Sequence, residues 1–126
     1  FRRVLFRSQR DSMANTTVAK IKAMLDDESQ THFTNMDFSG LDLNGFDFSE
    51  RTIAATNFSN CSLKKAKFKK ASMTFASMVG CDMRQSDCTA VSFHGANLSK
   101  ADLTSTVTKD ASFKNAKLDG VKGHKA

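Results

Sequence analysis

Residues 96–120 read ANLSKADLTSTVTKDASFKNAKLDG, and an apolar residue recurs in them at every fifth position. These apolar residues are Leu98, Leu103, Phe113 and Leu118. Thr108 is the only member of the series that is polar, and a small residue stands two positions before each member. A period of five residues is therefore the pattern that the fold has to explain.

The same register extends back along the chain without slipping. From Phe33 to Leu118, 17 of the 18 residues at every fifth position are apolar if Cys is counted. The residues two positions earlier form a second column, which is mostly small from Ala66 onward. Earlier members of the second column are larger or charged: Met36, Leu41, Phe46 and Arg51. The other three positions of each repeat are almost wholly polar, so two residues in five are expected to point inward.

A five-residue period excludes the ordinary secondary-structure elements. In an α-helix, five residues rotate by about 140°, so the apolar residues would circle the helix axis. In a straight β-strand an odd step moves the side chain to the opposite face. The apolar residues stay on one side only if the backbone turns a corner every five residues. The sequence therefore predicts a solenoid in which each coil pairs with the coils above and below it.

The repeats ANLSK, ADLTS, ASFKN and AKLDG resemble those of the pentapeptide-repeat proteins. The resemblance implies an all-β fold, a right-handed quadrilateral β-helix of about four and a half coils with 20 residues in each coil. At a coil spacing of about 4.8 Å, the rod is roughly 22 Å long. Aspartates recur just before the central apolar residue: Asp37, Asp42, Asp47, Asp82, Asp87 and Asp102. We interpret them as turn-forming residues, because short polar side chains bind the turn backbone, and not as an acidic binding strip.

Three segments are expected along the chain. Residues 1–12 match nothing that follows, and we interpret them as foreign to the natural protein or as a disordered leader. Residues 13–30 are expected to form an N-terminal cap. Residues 31–126 are expected to form the β-helix, with repeats over residues 31–120 and a frayed C-terminal end.

The N-terminal cap is predicted to be a short amphipathic α-helix over residues 16–27. Apolar residues recur at helical spacing at Val18, Ile21, Met24 and Leu25. Asn15 or Thr16 is a suitable N-cap residue. The helix is expected to cover the open apolar end of the first coil, as solenoids require. The alternative is a helix that binds a partner.

Residues 62–73 carry five lysines within seven positions: Lys64, Lys65, Lys67, Lys69 and Lys70. In the repeat register Leu63, Ala66 and Phe68 point inward, so the lysines point outward from two adjacent sides of the second coil. Arg84 is expected one coil above Lys64. We interpret the set as a surface for an acidic partner or an anion. The alternative is a solvated face that keeps the rod soluble.

Phe75 is expected on an outward column, between Ala55 and Gly95 of the neighbouring coils, and Val79 around the next corner. An exposed Phe framed by small residues is the kind of anchor that protein interfaces use. The alternative is a Phe folded back onto its own coil. Phe75 and Val79 therefore join the five lysines and Arg84 in the candidate partner-binding surface.

The bulk composition sets broad limits on the protein's surroundings. The chain has 126 residues, a net charge of +6 and three cysteines, with no Cys-x-x-Cys pair. An odd number of cysteines in apolar contexts favours a reducing compartment. No stretch approaches the length of a transmembrane span, and no secretory signal is recognised. We expect a bacterial cytoplasmic protein, or one delivered into a host cell if it is an effector.

No enzyme activity, cofactor or metal site is predicted. His32, His94 and His124 lie on different coils or at the C-terminal end. Cys61 and Cys81 stack on consecutive coils and are interpreted as packing thiols. A rod filled by its own side chains has no interior pocket for a substrate.

The predicted function is a non-catalytic protein-interaction module for an unknown protein partner. Residues 31–49 also resemble repeat segments of bacterial secreted effectors, which suggests an effector-like protein. One alternative is a DNA mimic that protects a type II topoisomerase, as in the quinolone-resistance branch of the family. Another is binding of nucleic acid or another anion through the lysines. A homodimer through the uncapped C-terminal coil is a further expectation.

Overall fold

The computed structural model describes residues 18–124. The predicted leader, residues 1–12, and the candidate N-caps Asn15 and Thr16 lie outside these residues. Helix α1 occupies residues 18–26 of the described chain, and the first bridge follows at His32. The coils are coil 1 (31–50), coil 2 (51–70), coil 3 (71–90), coil 4 (91–110) and the partial coil 5 (111–124).

Each complete coil consists of four five-residue sides. Fifteen parallel bridges join residues that are 20 positions apart. At a typical bridge, Phe33 donates its N–H to the carbonyl of Thr52 at 2.7 Å, and Thr52 donates to the carbonyl of Thr31 at 2.8 Å. Within residues 18–124 each side contributes only a single bridge residue, so no extended strand forms. The predicted repeat β-helix is thus present, but its β-structure is confined to isolated bridges.

The corners depend on a positive φ at every fifth residue. All 18 residues of this column from Asn35 to Gly120 have φ between 55° and 76°, and 13 of them are not glycine. A left-handed backbone costs a non-glycine residue about 1–2 kcal/mol. A turn hydrogen bond, such as that from the Cys61 N–H to the Phe58 carbonyl at 3.0 Å, closes most corners. The pairing of successive coils must therefore offset a recurring local strain.

The aspartate column forms turns. Each of its six members accepts a hydrogen bond from the backbone N–H two residues later, at 2.9–3.2 Å. Asn57 and Asn97 accept the same bond without a charge. Side-chain hydrogen bonds are the largest cause of the lowered pKa values of Asp37, Asp87 and Asp102. The interpretation of these aspartates as turn-forming residues is confirmed.

The interior is filled by the two inward columns. The central residues from Phe33 to Leu103 are all buried, none more than 4% exposed. Phe48 and Phe68, one coil apart, stack with ring centroids 5.1 Å apart. Such burial supplies the main stabilisation of the rod, because apolar area removed from water contributes about 25 cal/mol per Å².

Polar residues in the second inward column find partners inside the rod. The buried Thr56 hydroxyl donates to the carbonyl of Phe33 at 3.1 Å. The Thr106 hydroxyl donates in the same way to the carbonyl of Met83 at 2.6 Å. In both cases the acceptor lies 23 residues earlier, one coil below. The column therefore accommodates a small hydroxyl donor at these two positions.

Helix α1 packs over the apolar end of coil 1. Ile21 is 3% exposed and belongs to the core. Val18, Met24 and Leu25 are partly buried and pack against the core. The apolar stripe that predicted the helix is therefore the face that contacts coil 1.

Arg51 joins α1 to the coils, a role that the sequence did not reveal. It is the charged exception in the second inward column, and its guanidinium donates to the carbonyls of Leu25 at 2.6 Å and Gln30 at 2.7 Å. The Arg51 guanidinium carbon also lies 5.7 Å from the centroid of the Phe33 ring. The Leu25 carbonyl lies in the last turn of α1 and the Gln30 carbonyl follows the helix. Backbone acceptors at a helix C-terminus lack partners within the helix, and a cation is favoured there.

The C-terminal end of the described chain is covered differently. Phe113 of coil 5 stacks on Phe93 with ring centroids 5.0 Å apart. The ring of His124 packs against Phe113, with centroids 4.7 Å apart. Phe113 and Leu118 remain only partly buried, and no helix covers them within residues 18–124.

The substitution Arg51→Ala is expected to lower the free energy of unfolding by about 2 kcal/mol, because it leaves partly buried carbonyls without a charged donor. Urea denaturation followed by circular dichroism measures the loss. The matched control is Arg84→Ala, which removes an exposed ion pair and is expected to cost less than about 1 kcal/mol. Equal losses in the two variants would contradict the role given to Arg51.

Candidate binding surface

The five lysines of coil 2 occupy one side of the rod and its two corners. Leu63, Ala66 and Phe68 are fully buried, so the residues between them face outward. We call these lysines the lysine row: Lys64, Lys65, Lys67, Lys69 and Lys70. All except the half-buried Lys64 are exposed. The row therefore lies outward, as the repeat register predicted.

Carboxylates border the lysine row on both sides. The backbone of Lys67 forms β-bridges with Asp47 of coil 1 and with Asp87 of coil 3. Partial burial raises the pKa of Asp47, but hydrogen bonds from Ser49 and the charges of Lys67 and Arg51 outweigh it, so that the pKa is lowered. No lysine of the row forms an ion pair within 4.0 Å in the described chain. The row therefore keeps its charge available, although acidic residues flank it.

Arg84 carries less available charge than the sequence implied. Its guanidinium binds Asp82 in a bidentate manner, with Nε–Oδ1 at 2.9 Å and Nη2–Oδ2 at 2.7 Å. This is the only ion pair among residues 18–124. The Arg84 side chain, 49% exposed, lies one coil above Lys64. Arg84 therefore flanks the lysine row as half of a neutral pair.

A shallow groove follows the Lys64–Lys65 corner along the rod. It is lined by Asn44, Gly45, Lys64, Lys65, Arg84 and Gln85 and by two further residues of coil 4. A Cβ added at Gly45 would meet nothing within 4 Å. The corner below Lys65 is therefore open, which the sequence register alone did not indicate.

Phe75 and Val79 lie on other corners of the rod. Phe75 is 63% exposed, and its ring lies over Gly95 and edge-on to His94, with centroids 5.5 Å apart. Val79 is half-buried at the following corner. Counted along coils 2 and 3, Phe75 lies one corner after Lys70 and two corners after Lys65. Phe75 and Val79 therefore lie beyond the lysine row along the chain, with Phe75 next to the Lys70 end of the row and away from Lys64 and Lys65.

Nucleophilic and metal-binding groups are dispersed or buried in the described chain. No group of three or more His, Cys, Asp or Glu residues within residues 18–124 is arranged to hold a metal ion. The thiols of Cys61 and Cys81 donate to the carbonyls of Phe38 and Phe58 at 2.7 and 2.6 Å. Burial raises the pKa of Cys61 to about 11 and that of Cys81 still further. These thiols act as packing groups in the second inward column, because a protonated thiol is a poor nucleophile.

Comparison with known proteins identifies the family. The model of the pentapeptide repeats, in eight copies, matches residues 53–85 and 86–122, which is more than half of the chain. The chain therefore belongs to the pentapeptide-repeat family, and the resemblance drawn from the repeats is confirmed. A comparison with curated proteins finds no match.

Solved pentapeptide-repeat proteins share the fold. One from the thylakoid lumen of Arabidopsis thaliana has 28% identity and a TM-score of 0.69, over 72% of this chain and 64% of that one. HetL of the cyanobacterium Nostoc, involved in the regulation of heterocyst differentiation, has 26% identity and a TM-score of 0.65, over 68% of this chain and 39% of HetL. Another Nostoc pentapeptide-repeat protein has 16% identity and a TM-score of 0.54, over 85% and 93% of the two chains.

The match covers less than two thirds of the first two of these proteins. Among residues 18–124, no helix has the length and apolar character needed to cross a bilayer.

Gly95→Ala is expected to destabilise the rod by about 1 kcal/mol more than Gly40→Ala. Both glycines have a positive φ, +67° and +72°, but only at Gly95 would the added Cβ overlap the Phe75 ring. The backbone strain is thus matched, and the difference measures the steric conflict. Urea denaturation of Gly95→Ala and Gly40→Ala, each with and without Phe75→Ala, measures this difference in stability. The excess should vanish once Phe75 is removed, and an excess that persists would show that Phe75 does not rest on Gly95.

Proposed function

We propose that this chain is a non-catalytic module that presents a rigid surface to a protein partner. The observation that carries the proposal is the lysine row, five cations on one coil with no ion pair in the described chain. Coil-to-coil hydrogen bonds hold the backbone on both sides of the row, for example Lys65 to Arg84 at 3.0 Å and Lys67 to Phe46 at 2.9 Å. A fixed backbone reduces the entropy lost on binding.

The family supports a role other than catalysis. Pentapeptide-repeat proteins are generally structural or interaction modules, and the family model that matches this chain is theirs. HetL is described by its involvement in the regulation of a differentiation process, which fits a protein that acts by contact. The described interior is filled by apolar side chains, so a substrate would have to bind on the outer surface.

Phe75 is a second candidate anchor within the same proposal. Its ring is exposed and lies on a glycine, so a partner can bury it without rearranging the backbone. Val79 lies around the next corner from Phe75 and can extend that contact. Because Phe75 lies one corner beyond Lys70, a partner that covers the side between them can contact both, whereas Lys64 and Lys65 lie two corners away from Phe75.

The DNA-mimic alternative is less well supported by the charge distribution. A mimic of duplex DNA presents negative charge, whereas coil 2 presents five positive charges and the whole chain carries +6. The acidic residues of coil 1 include Asp37, Asp42 and Asp47, and each is engaged in a turn. Topoisomerase protection remains one outcome of the pull-down that tests the proposal.

The proposal also covers the handedness of the coils, the compartment in which the protein works and contact between two copies. We infer that the coils wind to the right, as the family resemblance implies, and that the protein works in a bacterial cytoplasm or, as an effector, in a host cell. The buried free thiols suit a reducing compartment. Contact between two copies through coil 5 is compatible with the partly buried Phe113 and Leu118.

The test is a pull-down from nuclease-treated lysate of the source organism with three baits. One bait is the chain itself and the second carries Lys→Glu at all five positions of the lysine row. The matched control carries Lys→Glu at five exposed lysines elsewhere: Lys100, Lys109, Lys114, Lys117 and Lys122. A discrete protein retained by the first and third baits and lost by the second is the expected result.

Two outcomes would contradict this proposal. Retention of the partner by the lysine-row variant would remove the row from the binding surface. Capture of a topoisomerase by all three baits would support the DNA-mimic alternative instead. Circular dichroism of each bait checks that the coils remain folded, and Lys→Gln at the same five positions replaces Lys→Glu if they do not.

A further inference from the structure

We propose that the lysine row binds a single extended segment of an acidic protein, with carboxylates on alternate residues, that lies along coil 2. The inference rests on the proposed function and specifies the chemistry of the partner. It depends on the arrangement of charges across the coils and on the spacing of charges along coil 2.

The width of the basic strip selects a narrow ligand. Asp47 lies one coil below Lys67 and Asp87 one coil above it. Glu50 lies below Lys70, and its N–H donates to the carbonyl of Lys69 at 2.9 Å. Successive coils are about 4.8 Å apart, so carboxylates lie within one coil of the row on either side. An anion wider than one extended chain would meet them and be repelled.

Duplex nucleic acid does not fit this strip. Its grooves alone are about 6 and 12 Å wide, so a duplex placed on the lysine row would cover several coils. Its phosphates would then approach Asp47, Glu50 and Asp87 together with the lysines. A single extended chain follows the row and avoids them.

The spacing along coil 2 favours carboxylates on alternate residues. Lys65, Lys67 and Lys69 stand at alternate positions and are all exposed. Alternate residues of an extended chain are about 6.6 Å apart and point to the same face. An extended peptide with Glu or Asp at every second position, laid along the side between the two corners, therefore places one carboxylate at Lys67 and one towards each of the corner residues Lys65 and Lys69. Its other side chains face solvent.

The surroundings of the row favour a peptide over a single-stranded nucleic acid. Proteins that bind single strands combine basic grooves with exposed aromatic rings on which bases stack. Phe68, which lies within the row, is fully buried, and Phe75 lies around another corner. The groove beside Gly45 and Lys65 offers room for a flanking side chain of the peptide.

Fluorescence anisotropy at low ionic strength tests the inference with three labelled probes. The first is a peptide of about ten residues in which Glu and Ser alternate, as the spacing requires. The second has the same composition with Glu and Ser in two blocks, and the third is oligothymidylate of similar length. The protein variants are Lys65→Gln/Lys67→Gln/Lys69→Gln and, as matched control, Lys109→Gln/Lys114→Gln/Lys122→Gln.

The expected result is that the alternating peptide binds at least about tenfold tighter than its block isomer, a difference that corresponds to about 1.4 kcal/mol. Binding should be lost in the row variant and kept in the control variant. Equal affinity for the two peptides would overturn the inference in favour of unspecific charge attraction. Tighter binding of oligothymidylate would overturn it in favour of nucleic acid.

Failure of this inference is distinguishable from failure of the proposed function. If the alternating peptide does not bind but a protein from lysate still depends on the lysine row, only the extended acidic segment is refuted. If neither depends on the row, the binding surface itself is refuted.

Discussion

A coil of this protein can pair with the next only if residues 20 positions apart face the same way. Bridges pair residues at that separation, and the backbone hydrogen bonds on either side of them link each complete coil to its successor. The inward side chains fill the interior. A shift of one residue would turn apolar residues outward and polar residues inward, so the register is fixed by burial. The corners have a positive φ even at 13 residues that are not glycine, and the pairing of coils must offset their strain.

The same constraint leaves the outside free to vary. Three residues of every five face outward and take no part in filling the interior. Charge can therefore concentrate on one coil, as it does in the lysine row, while the neighbouring coils keep the aspartates that close their turns. A rod of this kind suits recognition, because its side chains project from fixed positions.

The sequence predicted what depends on periodicity and missed what depends on a particular three-dimensional contact. The inward columns, the outward lysines and the turn-forming aspartates follow from the register alone. The role of Arg51 does not, because it depends on where α1 ends over coil 1. The pairing of Arg84 with Asp82, two residues apart, reduces a charge that the sequence counted as available. The position of Phe75, one corner from Lys70 but two from Lys65, follows from counting corners, which a list of outward residues does not do.

Insertion within the repeats tests the central claim, that a five-residue register holds the rod together. One variant receives Ala-Asn-Leu-Ser-Lys between Lys70 and Ala71, and a matched variant receives the same five residues followed by one Ser. The account predicts that the five-residue insertion keeps a single cooperative urea transition, within about 2 kcal/mol of the parent chain. The six-residue insertion should lose it, because coils 3 to 5 fall out of register with coils 1 and 2. Equal stability of the two variants would contradict the account.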